Sequence, residues 1–186
     1  MTHSYEQIMQ DALAATRRDA LDESDVLLRQ ALAMNPAAAM PHFLRAANFA
    51  HADRHDLAEA SYVACLTRAP SLAMARFQLG LLQLTGGRPA VARASWEPLL
   101  GLADAHPLKL FARGLLAMLE EDASGACRFI REGIAMNRDN VPLNVDMQAL
   151  LQRLEHAEAP SAPAGADAAG ASPSDAHFLI GAYRRQ

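Results

Sequence analysis

A fixed 34-residue period constrains this chain more than any other feature of its sequence. Sliding the sequence by 34 superposes Ala58, Ala92 and Ala126, and in another column Ala46, Gly80 and Gly114. Bulky side chains recur in step at Leu28, Tyr62, Trp96 and Ile130, and Pro36 and Pro70 share a third register. A period of this length marks an array of supersecondary units that bury their apolar faces against one another. Pro107 falls three residues late, which points to a short insertion within Gly101–His106.

Each column has a physical reason. Small residues let two antiparallel helices approach closely, and the bulky column fills the space beside them. A proline just past a helix end stops the helix from continuing. The polar stretches His51–Asp56, Thr85–Pro89 and Glu120–Gly125 carry the Asp, Gly and Pro expected of helix-to-helix turns. Composition agrees, because the apolar half of the chain is mostly Ala and Leu and aromatics make up only 5%. Ala and Leu lose little on entering a helix, so the expectation is an all-α fold.

The period, the small-residue columns and the Leu79-Gly80 pair resemble the tetratricopeptide repeat family. The resemblance covers Tyr5 to Asp139 in four units, of which Ala38–Ser71 matches best through Ala46, Phe49, Ala58, Tyr62 and Pro70. The first unit presents Ala12, Ala15, Ser24 and Leu28 with an atypical turn over Arg17–Glu23, and the fourth has Arg138 where the closing proline belongs. Terminal repeats cap a stack and are commonly irregular. Val141–Ala157 then reads as one amphipathic capping helix, with Val145, Leu150, Leu151 and Leu154 in its stripe. The resemblance implies a helical-repeat solenoid over residues 1–157, of about four helix pairs plus the cap, that binds other polypeptides.

In the geometry that the resemblance implies, first helices line a concave groove with the residues beside the small column. Those positions hold Phe43, Phe77 and Phe111, flanked by Met40, Met74 and Leu108, by Ala47, Leu81 and Leu115, and by Leu84 and Met118. Family members that clamp a C-terminal carboxylate use Lys and Asn there, so this sequence excludes that mode and predicts an apolar peptide-binding trough instead. Packing between neighbouring first helices is the competing role for the Phe ladder.

Residues 158–174 are a different polymer, built of Ala, Pro, Ser and Gly with almost no large apolar side chain, and are expected to be a flexible linker. Residues 175–186 then bring Phe178, Leu179, Ile180 and Tyr183 within a few positions. A solvated tail does not ordinarily carry such a cluster. It is expected to dock on apolar repeat surface of its own chain or of a neighbour's, gating the groove, or to recruit a different protein as a short motif.

Other function classes find little support. A net charge of −4 and a pI near 5.9 argue against nucleic acid, and Arg17-Arg18 and Arg184-Arg185 are too short for a phosphate-tracking stripe. No apolar run approaches the roughly 18–20 residues of a bilayer span, and the polar start, Met1–Asp11, does not resemble a signal peptide. A cytoplasmic location is the expectation. Cys65 and Cys127 lack metal-ligand spacing and read as small buried side chains. His51, Asp53, His55 and Asp56 fall on a turn where polar residues are expected anyway. No cofactor or metal and no enzymatic activity is anticipated. The reading is an adaptor or assembly factor; a type III secretion-like chaperone and a self-associating scaffold with exchanged tails are the alternatives.

Overall fold

The computed structural model describes residues 4–158. Helices α1 (Tyr5–Arg17), α3 (Met40–His51), α5 (Ala73–Thr85) and α7 (Pro107–Leu119) pack antiparallel to α2 (Leu21–Met34), α4 (His55–Arg68), α6 (Pro89–Trp96) and α8 (Ala123–Met136). A ninth helix, α9 (Val141–Glu158), packs on α8. The chain therefore forms four helix pairs and a capping helix, and no strand occurs among the described residues. The tail motif Phe178, Leu179, Ile180 and Tyr183 and nearly all of the linker lie outside them.

The period is written into the backbone as well as the side chains. Asp19, Asp53, Gly87 and Glu121, one per repeat, all have positive φ, between 58° and 73°. Each follows the end of a first helix and closes it with the same pair of hydrogen bonds. The amides of Ala20, Arg54, Arg88 and Asp122 donate to the carbonyls of Ala15, Phe49, Gln83 and Ala117, at 2.8–3.0 Å. The left-handed residues themselves donate to Thr16, Ala50, Leu84 and Met118. This is the Schellman closure, which satisfies otherwise orphaned helix-end carbonyls. The first turn, atypical in sequence, adopts it too.

The core falls into two clusters that meet at α5. Ala75, Leu79 and Leu82 pack with Phe43, Tyr62, Leu28 and the other buried residues of α1–α4. Phe77 and Leu81 pack with Trp96, Phe111, Ile130, Leu143, Met147 and Leu151. Every residue from Phe77 to Gln83 is buried, so this stretch of α5 has no solvent-facing side. Burying a Phe side chain contributes about 1.5–3 kcal/mol.

Buried polar groups at the repeat junctions are paired. Asn48 Nδ2 donates to Ser24 Oγ at 2.9 Å, and the Thr16 hydroxyl lies 2.9 Å from Ser24 Oγ and 3.1 Å from Asn48 Oδ1, tying the first repeat to the second. At the next junction Gln83 Nε2 donates to Glu59 Oε1 at 3.0 Å, Ser95 Oγ donates to Gln83 Oε1 at 2.6 Å, and Arg88 grips both Glu59 oxygens. Removing one partner of such a set would leave the others desolvated and unmatched.

Two departures from regularity have local causes. Helix α6 stops at Trp96, and the chain tightens into a 3-10 turn, Glu97–Gly101. Pro98 has no amide to continue the α-helical ladder and its ring crowds the preceding turn. The loop that follows occupies the expected insertion. Where the fourth repeat lacks its closing proline, buried Asn137 donates to the Asn140 carbonyl and to Asn144 Oδ1, both at 2.8 Å. Asn144 Nδ2 returns a bond to the Asn137 carbonyl, and Asn140 Oδ1 accepts from the Leu143 amide at the start of α9. An asparagine clasp thus does the work of the missing proline.

Candidate functional site

The Phe ladder does not line an open wall. Phe43, Phe77 and Phe111 are buried at 2%, 0% and 0% exposure, and Leu81, Leu108 and Leu115 are buried with them. Each ladder ring packs against its own second helix. Phe43 meets Tyr62 edge-on with centroids 6.0 Å apart, Phe77 lies 6.3 Å from Trp96, and Phe111 fills the space beside Gly133. Phe77 and Phe111 also touch each other, 6.2 Å between centroids. The sequence-based groove therefore needs correcting at these six positions. First helices are turned so that this column faces inward between layers, which is the packing role.

What stays accessible is the margin of that ladder. Met40 is 44% exposed, and Ala47, Met74, Leu84 and Met118 are half-buried. Met74 packs against both core clusters, Leu84 and Met118 against the C-terminal one. Met74, Leu84 and Met118 thus keep one part in the core and one in solvent. On the outer layer Leu57, Val63 and Val91 are also exposed, at 41%, 50% and 43%.

Several groups able to do chemistry are buried or paired. Cys65 is buried, and burial pushes its thiol up to about 11, the reverse of an activated nucleophile. Cys127 is buried as well. His51 Nε2 lies 3.4 Å from Asp19 Oδ1, across the turns of the first two repeats. Among the described residues no group of three or more His, Cys, Asp or Glu is placed to hold a metal ion. His42 Nε2 is buried without a hydrogen-bond partner, and burial, then the nearby Arg68 and Arg45, hold its pKa below the usual histidine range.

Sequence reasoning missed two clusters of aromatic and guanidinium groups. Arg45 and Arg54 approach the Phe49 ring at 5.2 and 5.0 Å, and Arg113 and Arg128 approach Phe129 at 3.9 and 4.6 Å. Arg45 and Arg113 share a column of the period, but Leu79 interrupts it, and the other members, Arg54, Arg128, Phe49 and Phe129, fall out of register, so the repeat spacing gives no signal for either cluster. Among the described residues no helix is long and apolar enough to cross a membrane.

No family profile matches the chain, and no curated protein does. Solved structures do match. A structure from the functional characterization of Pseudomonas aeruginosa PilF superposes with a TM-score of 0.64 and 20% identity, over 82% of this chain and 69% of that one. The crystal structure of MamA gives 0.59 and 12% identity, over 72% of this chain and 78% of that one. The Cut9–Hcn1 hetero-tetramer of APC/C gives 0.67 and 15% identity over 83% of this chain, which spans only 31% of the matched one. All three contain tetratricopeptide repeats. With the four Schellman-closed helix pairs and the capping helix, these likenesses make the chain a tetratricopeptide-type helical-repeat solenoid.

Proposed function

We propose that this protein is a non-catalytic adaptor that holds a segment of another polypeptide along the accessible margin of its first helices. The observation that carries the reading is the set Met74, Leu84 and Met118, packed against the core yet only half-buried, with Met40 exposed and Ala47 half-buried on α3. Side chains held by packing lose little freedom on binding, which lowers the ordering cost of association. Three of the five are methionines or leucines on neighbouring helices of the C-terminal half, and methionine adapts its shape to irregular apolar ligands. The burial of the Phe ladder makes this a shallow contact strip rather than a deep trough, suited to an extended or helical segment that presents apolar side chains at intervals. Protein partners also fit the fold that the chain shares with PilF, MamA and Cut9.

The test is selection of peptides from a random displayed library on the full chain, followed by calorimetry with the winners. Met74→Asp and Leu84→Asp are expected to remove binding without changing the melting temperature by more than a few degrees, while Val91→Asp on the outer layer leaves it intact. Peptides that bind Met74→Asp as well as they bind the parent would refute the assignment.

A further inference from the structure

The last helix carries an exposed residue in a column that the rest of the protein buries. Val145 stands 34 residues after Phe111, in the register of Phe43, Phe77 and Phe111. Those three are buried because each is covered by its own second helix, by Tyr62, by Trp96 and by the segment of α8 around Gly133. Helix α9 occupies a first-helix position, packed on α8 through Leu143, Met147 and Leu151, and among the described residues no element follows it. Val145 is accordingly 51% exposed, with Val141 one turn away at 63% and Met136, at the end of α8, at 46%. Among the described residues, none covers the face of α9 against which a second helix packs in the other repeats.

We infer that residues 175–186 of the same chain take that second helix's seat, with Phe178, Leu179, Ile180 and Tyr183 covering Val145 and Val141. Composition, reach and tethering favour this occupant. The segment's apolar residues are the kind that the bulky column supplies in the other repeats, where Tyr62, Trp96 and Ile130 stand. Its tether has the right reach. Val145 lies about 20 Å back along α9 from Glu158, at 1.5 Å per residue. Residues 159–174 contain no large apolar side chain, and a chain of that length and composition spans about 20–24 Å r.m.s.. Finally, a tether of this kind gives an effective concentration on the order of millimolar, so a seat of two valines and a methionine suffices. The tail thereby acts as a detached second half of a fifth repeat, and the inner margin proposed for partners stays free of it.

The experiment is paramagnetic relaxation enhancement in the full chain. A spin label is attached at Gln152→Cys, exposed on α9 two turns beyond Val145 and outside the seat itself, where the native thiols do not compete because both are buried. The resonances of Phe178, Leu179, Ile180 and Tyr183 are then compared with the label oxidised and reduced. Loss of most of their intensity, persisting on dilution, is the expected result, with no loss from a label at Val26→Cys on α2. Adding Val141→Asp should restore the intensity. Undiminished tail signals, or equal loss from both label sites, would overturn the inference. Equal loss in isotope-enriched, unlabelled chains mixed with labelled, unenriched ones would assign the seat to a second copy and overturn it as well.

Discussion

The Trp96 indole donates from Nε1 to the backbone carbonyl of Phe77 at 3.0 Å, pinning the largest side chain of the second helix to the first helix of its own repeat. The ring then lies so close to Gly80 that a Cβ built there would fall inside it. The small column is thus a steric requirement set by the residue 16 positions later.

Gly80→Ala should destabilise the protein by about 1–3 kcal/mol, because the buried indole cannot retreat without giving up its hydrogen bond. Gly114→Ala should cost less. Its Cβ would meet Ile130 Cγ1 at 2.6 Å, and an aliphatic side chain that no hydrogen bond holds shifts more readily than a pinned ring. Urea unfolding of both variants checks the order, and a Gly80→Ala protein as stable as the parent would show that Trp96 is free to shift.

Glu121 occupies the left-handed position that glycine fills in the preceding repeat, at φ 61° against 73° for Gly87. A non-glycine residue there costs roughly 1–2 kcal/mol, so Glu121→Gly should raise stability by up to about 1 kcal/mol after the entropy of glycine is counted. The same closure at Asp19 and Asp53 uses a side chain that tolerates this conformation better. Thermal melts read the effect, and a lower melting temperature for Glu121→Gly would contradict the assignment.

Glu59 makes the second junction sensitive to acid. The Arg88 guanidinium, at 2.6 Å, and Gln83 hold the carboxylate below its usual pKa against the opposing effect of burial. A depressed folded-state pKa means that this contribution is fully present above the ordinary glutamate value near 4.5 and fades as pH falls through the lower folded value. The melting temperatures of the parent and of Glu59→Gln should therefore differ at neutral pH and converge on acidification. A gap that persists or widens in acid would mean that Glu59 contributes through shape alone.

The architecture was legible because it is periodic. Spacing placed all four helix pairs and α9, and Pro70 and the Ala58 column marked where elements end and touch. The inner wall was not legible. Its phase hangs on a rotation of the first helices of a few tens of degrees, and nothing in an apolar column says which layer it faces. Phe111 reads equally well as groove lining or as a lid on Gly133; only burial separates the two. The Schellman column escaped notice because what Asp19, Asp53, Gly87 and Glu121 share is a backbone angle, and three acids with a glycine look like ordinary polar turn residues. The Asn137–Asn144 clasp was hidden for the same reason, since two asparagines in a turn and a third in the first turn of α9 look like ordinary polar residues until their hydrogen bonds are seen.

Site-specific photo-cross-linking in the native host tests the central claim most directly. A benzophenone amino acid would replace Met74 or Met118 on the inner margin, and Val26 or Val91 on the outer layer, one position per experiment. The account predicts a defined polypeptide adduct from the two inner positions and none from the outer pair. Adducts confined to Val26 or Val91, with Met74 and Met118 silent, would contradict it and move the binding surface to the other side of the solenoid.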